Sequence, residues 1–192
     1  MLEGDLLEKF DGELSSHFST EKYPSSLPSG TSLSLSRRGE KGGYEMAGNR
    51  HDYETRAEWI EGKKVRLVVE GQPDLEVSTP SEFGGPKGFL SPEELFVGSA
   101  CTCYLTTFFA VAEGAKLSYK DIICTARGIV EKVEGKGFRF TQVNLYPELA
   151  ITGDEEEEWA ERVLKMSKKN CLVVNSMTSE VKLYPKITVN KD

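Results

Sequence analysis

The run Ser91-Pro92-Glu93-Glu94-Leu95-Phe96-Val97-Gly98-Ser99-Ala100-Cys101-Thr102-Cys103-Tyr104 opens with the marks of a helix start. Ser91 is an N-cap residue, Pro92 takes the first helical position, and the acids behind it complete a capping box. Apolar residues continue through Val111, and Gly114 fits a stop. Leu95, Phe96, Val97, Ala100, Tyr104, Leu105, Phe108 and Phe109 leave almost no polar face, so the helix is expected at the centre of the fold. Its few polar and sulfur-bearing positions are then informative.

Upstream, Thr55 to Trp59 and Val65 to Val69 alternate around Glu61-Gly62-Lys63 and read as two strands, with Leu75 to Ser78 a third. Downstream, Tyr119 to Lys132 and Phe138 to Leu149 read as a long hairpin around Glu134-Gly135-Lys136-Gly137. A second helix is expected from about Glu155 to Lys169, with acids in its first turn and Lys165, Lys168 and Lys169 in its last, as the helix dipole favours. Cys171 lies just past it, and Val181 to Val189 closes the chain as a strand. The order βββ-α-ββ-α-β makes an α+β domain over residues 49–192.

Residues 1–48 differ. Nine serines fall between Ser15 and Ser36, with Pro24 and Pro28 among them, and no helix or strand period is sustained. Such a segment buries too little apolar surface to offset its ordering entropy and is expected to be a disordered tail. A second reading treats residues 1–45 as untranslated leader. Gly42-Gly43 can be encoded by a purine-rich run resembling a ribosome-binding sequence, and Tyr44 and Glu45 separate it from Met46.

The net charge of −7 and pI near 5.1 argue against nucleic acid or an anionic membrane surface as the main partner. No stretch is read as reaching the roughly 20 apolar residues that span a bilayer. Met1 to Leu14 is acidic and lacks the apolar core of a secretory signal. The expected location is therefore cytoplasmic, where free thiols are the default. With only His17 and His51 available, serine- or cysteine-histidine hydrolysis and histidine-rich zinc sites lose their imidazoles.

Four cysteines remain: Cys101, Cys103, Cys124 and Cys171. Each, taken alone, reads as a small core residue. Cys101 and Cys103 point about 200° apart around the helix and cannot share surroundings. For the same reason Cys-x-Cys within a helix splays its ligands, and no metal is expected. Cys101 and Cys124 read as inert packing. Glu93 alone reads as a first-turn acid favoured by the helix dipole.

The segment Leu90 to Tyr104 resembles the Pro-Glu-(Glu/Gln)-Leu … Cys helix of the OsmC/Ohr family of organic hydroperoxide reductases. Asn170-Cys171-Leu172-Val173-Val174-Asn175 is similar to that family's second cysteine motif, and Leu75-Glu76-Val77, Thr79-Pro80 and Phe83-Gly84-Gly85 to the stretch before the helix. The likeness covers about residues 50–190. It implies an intertwined homodimer in which antiparallel sheets wrap two central helices, with active sites between the subunits. It also implies thiol-dependent reduction of organic hydroperoxides: Cys103 is oxidised, Cys171 resolves it as a disulfide, Glu93 orients a basic partner, and a small or protein dithiol reduces the pair, with no cofactor. A thiolate does the attacking, and condensation with a second thiol protects the sulfenic acid from over-oxidation. A pocket lined by residues such as Phe108 or Tyr104 would favour organic peroxides.

Two positions depart from the family pattern. Leu172 stands where proline is frequent, and no arginine falls at the family position in the hairpin Trp59-Ile60-Glu61-Gly62-Lys63-Lys64-Val65-Arg66. Lys63, Lys64, Arg66 or Arg56 are the substitutes, a lysine being the poorer bidentate partner for a carboxylate. Without such a residue near Cys103, the alternative is an OsmC-like dimer that binds an apolar ligand while its cysteines only sense oxidation.

Overall fold

The capping box forms as expected: Ser91 Oγ accepts from Glu94 N at 3.1 Å, and Glu94 Oε2 accepts from Ser91 N at 2.7 Å. It starts α1, Pro92–Ala115, the longest helix of this computed structural model, which describes residues 50–153 and 157–189. Gly114 does not end α1. Lys116 takes the left-handed conformation at φ 54° and turns its N–H back onto the carbonyls of Ala112 and Glu113. The tail or leader expected over residues 1–48 lies outside the described residues, as does the start of the acidic run before the second helix.

Before α1, β1 (Arg56–Glu61), β2 (Lys64–Val68) and β3 (Leu75–Ser78) make an antiparallel sheet in that order. Gly62, at φ 50°, permits the tight turn between the first two strands. Of these strands, only Val77 and Ser78 are buried within the chain. After α1, β4 (Tyr119–Val133) and β5 (Gly137–Ile151) form the long expected hairpin, its turn carrying positive φ at Gly135 and Gly137.

The second helix, α2, runs Glu157–Asn170. A five-residue helix the sequence reading did not foresee, α3 (Leu172–Ser176), follows at once with Cys171 at its N-cap. The expected last strand divides into β6 (Glu180–Leu183) and β7 (Lys186–Val189), both parallel to β5. Pro185 has no N–H to continue a ladder, while Tyr184 N reaches Leu145 O at 2.8 Å. The second sheet is thus antiparallel in its hairpin and parallel along the free side of β5.

The core lies where α1 and α2 pack together over β5. Ala100, Tyr104, Phe108 and Ala112 make one i, i+4 stripe of α1 and are fully or almost fully buried. They meet Ala160, Val163 and Leu164 of α2 and Val143, Leu145, Leu149 and Ile151 of β5. Burying each large apolar side chain contributes roughly 1.5–3 kcal/mol. Tyr104 keeps its hydroxyl satisfied at depth by donating to Leu164 O at 3.3 Å.

The other faces of α1 are less covered than an all-round apolar helix predicts. Phe96 and Phe109 remain 36% and 46% exposed. The reading that no stretch approaches a membrane-spanning length also needs correction. By length and composition α1 qualifies, with a mean hydropathy of 1.7 over an 18-residue window, of which 22% is buried in this chain.

Candidate redox site

Cys103 and Cys171 come from different elements and meet. Cys103 sits on the face of α1 that packs against the helices. The break between α2 and α3 delivers Cys171, whose N–H bonds Lys168 O at 3.3 Å while its carbonyl accepts from Asn175 N at 3.0 Å. Cys171 is fully buried, Cys103 is half-buried, and the two thiols are near enough for Cys103 to shift Cys171. Burial pushes the Cys171 thiol up. The Val174 N–H pulls it back, the Cys103 neighbour raises it, and a hydrogen bond with the Thr107 hydroxyl lowers it.

Thr107 is a member of this site that the sequence reading missed. Its hydroxyl bonds the Cys103 carbonyl at 2.7 Å and also reaches the Cys171 sulfur. The signal was available: Thr107 follows Cys103 by four residues and so shares its helix face.

Glu93 is placed elsewhere. It lies on the wall of a cavity of about 970 Å³ between the start of α1, the loop after β3 and the β4–β5 hairpin. Its Oε2 is buried with no hydrogen-bond partner among the described residues. The apolar lining comes from Phe89, Val97, Phe138 and Phe140 rather than from Phe108 or Tyr104, which are core residues. The cysteine on this wall is Cys101, not Cys103.

The basic candidates are occupied away from both thiols. Arg56 pairs with Glu58 at 2.9 Å. Arg66 stands 3.9 Å from Glu58 and 3.7 Å from Asp74. Lys64 pairs with Glu61, and Lys63 donates to Phe83 O at 3.0 Å. Among the described residues no group of three or more His, Cys, Asp or Glu is arranged to hold a metal ion.

The family model described as OsmC-like protein matches residues 84–186, more than half of the chain. The chain belongs to the OsmC-like family. An uncharacterized Bacillus subtilis protein, YmaD, is 24% identical over 143 residues, 72% of this chain and 95% of its own length. An OsmC-like protein of unknown function from Vibrio cholerae superposes with a TM-score of 0.65 at 18% identity, covering 71% of this chain and 99% of that one. The organic hydroperoxide resistance protein OsmC of Legionella pneumophila superposes with a TM-score of 0.59 at 26% identity, covering 73% and 100%. The OsmC-like fold expected from the helix and cysteine motifs is therefore the fold observed.

Proposed function

We propose that this OsmC-like protein is a thiol-dependent organic hydroperoxide reductase acting through Cys103 and Cys171. The observation that carries the reading is that a half-buried cysteine on α1 neighbours a fully buried one at the start of α3, near enough to push its thiol up. The Cys103 thiolate attacks the distal peroxide oxygen. The O–O bond breaks, an alcohol leaves with a proton, and Cys103 becomes a sulfenic acid. Cys171 then attacks that sulfur, hydroxide leaves as water, and a disulfide forms. A dithiol reductant restores both thiols by exchange.

The raised affinity of Cys171 for its proton suits the second role. A resolving thiol is needed only after Cys103 is oxidised, and staying protonated keeps it from competing for peroxide. A homodimer is part of the proposal. The β1–β2–β3 sheet has almost no core of its own, and α1 leaves aromatic side chains uncovered, so a second copy would bury both. That copy's hairpin is also the source we propose for a cation opposite the unpartnered Glu93 oxygen. The setting proposed is a reducing compartment such as the cytoplasm.

The test is mass spectrometry of the protein after one equivalent of cumene hydroperoxide. A Cys103–Cys171 disulfide is expected, and Cys103→Ser should abolish peroxide consumption; unchanged turnover in that variant ends the reading. The engagement of Arg56, Lys63, Lys64 and Arg66 away from Cys103 favours one alternative, an apolar-ligand-binding dimer whose thiols only sense oxidation. That alternative gains if the disulfide forms but is not turned over by excess dithiol and peroxide.

A further inference from the structure

The two cysteines that this chemistry leaves unused also lie together. Cys101 is on the face of α1 opposite Cys103, and Cys124 is on the face of β4 turned toward that helix. Cys101 Sγ donates to the Cys124 carbonyl at 3.0 Å, Cys124 Sγ donates to the Thr125 carbonyl at 3.7 Å, and the Cys101 thiol is near enough to push the Cys124 thiol up. Pro147 pairs with Cys124 in the ladder and has no N–H to offer that carbonyl. The β4 face is otherwise small: Ala126 and Gly128 follow at alternate positions, and both line the 970 Å³ cavity with Cys101. Neither sulfur is sealed in, since both residues are half-buried.

We propose that Cys101 and Cys124 form a second redox-active dithiol, which closes to a disulfide when an organic hydroperoxide occupies the partly aromatic cavity beside Cys101. This pair stands apart from Cys103 and Cys171, with α1 between them, and does not depend on their activity. Cys101 is the attacker because it reaches the cavity. Cys124 is the partner: burial first, then the Cys101 neighbour, push its thiol up to about 12, so it stays protonated. The Cys101 thiolate takes the distal peroxide oxygen, the O–O bond breaks, and the alkoxide leaves as an alcohol. The Cys124 sulfur then displaces the sulfenic hydroxyl, which departs with the Cys124 proton as water. One hydroperoxide accepts two electrons, and two thiols become one disulfide.

The test uses the full chain with Cys103→Ser and Cys171→Ser together, leaving Cys101 and Cys124 as its only thiols. The reduced protein receives one equivalent of cumene hydroperoxide, is quenched with N-ethylmaleimide, and is mapped by peptide mass spectrometry. The expected result is a Cys101–Cys124 linked peptide and loss of both alkylation sites. Adding Cys124→Ala should stop the reaction at a dimedone-reactive Cys101 sulfenic acid. Two fully alkylated thiols, or a Cys101 oxidised without cross-linking while Cys124 is present, overturn the proposal.

Wild-type protein given two equivalents guards against a folding defect in the variant. Two disulfides with these pairings are expected; Cys101 and Cys124 both still alkylated refutes the second dithiol. A wild-type result with Cys103–Cys171 linked and Cys101 and Cys124 free would leave the proposed peroxidase standing and this inference fallen. The converse pattern would do the opposite.

Discussion

Thr107→Val isolates one hydroxyl at the point where Cys103 and Cys171 meet. The substitution keeps the branched shape and removes the group that bonds the Cys103 carbonyl at 2.7 Å and reaches the Cys171 sulfur. The Cys103 carbonyl keeps its ordinary helix partner, the Thr107 N–H, so α1 should survive. A hydrogen bond to a charged group contributes about 1.5–3 kcal/mol, and Thr107 is half-buried, so the low end applies. Without it Cys171 holds its proton more tightly, and less of its thiolate is present at a given pH. The remaining thiolate is more basic and hence more nucleophilic, and a Brønsted slope of about 0.4–0.5 returns roughly half of the lost hydrogen-bond energy as rate. Resolution of the Cys103 sulfenic acid should therefore slow by roughly three- to fourfold at neutral pH. At alkaline pH, where Cys171 is ionised in both proteins, the sign should reverse. The assay is a single turnover with one equivalent of cumene hydroperoxide, acid-quenched and read by mass for the disulfide. A rate unchanged at every pH, or slowed by one factor at every pH, would refute an electrostatic role for Thr107.

Ser91→Ala removes the side chain that accepts from Glu94 N and should cost about 1 kcal/mol in urea unfolding. Gly128→Ala would place a methyl 2.5 Å from Val97 Cγ2 and 2.6 Å from Phe140 Cε1. Overpacking of that kind should destabilise by about 1–3 kcal/mol, seen as a lower denaturation midpoint. Alkaline stability should carry the signature of Cys124, whose folded pKa is raised from 9.0 to about 12. Folding favours its protonated form, so its contribution is complete below the ordinary thiol value and is lost as pH rises toward 12. Wild type should lose stability more steeply than Cys124→Ala across that window, and equal slopes would contradict the burial argument.

The capping box, both hairpins and α2 were legible because local signals agree there: Ser91 with Glu94, glycine at positive φ, and acids leading lysines along α2. What escaped depends on contacts far apart in sequence. Nothing local to Leu172-Val173-Val174-Asn175-Ser176 marks a five-residue helix, and that helix turns the Cys171 backbone toward α1. The split at Tyr184-Pro185 was readable from the proline, but pairing with β5 makes it two parallel strands. Angular position on α1 separated Cys101 from Cys103 correctly. It could not show that Cys101 faces Cys124, because strand β4 supplies that neighbour from 23 residues away.

The same geometry explains why four thiols in one domain need not interfere. A helix is about 10–12 Å across with its side chains, and α1 stands between the pairs with Cys103 on its helix-facing side and Cys101 on its strand-facing side. Tyr104 fills the gap between them. Burial first, then the neighbouring Cys124 and Cys171, keep its phenol protonated, so the ring adds bulk without adding charge. Exchange between the pairs would require a cysteine to cross that ring or α1 to unwind. Two dithiols separated in this way would oxidise as independent two-electron units, and a mixed Cys103–Cys124 or Cys101–Cys171 disulfide in the folded protein would mean that α1 is not the barrier its packing implies.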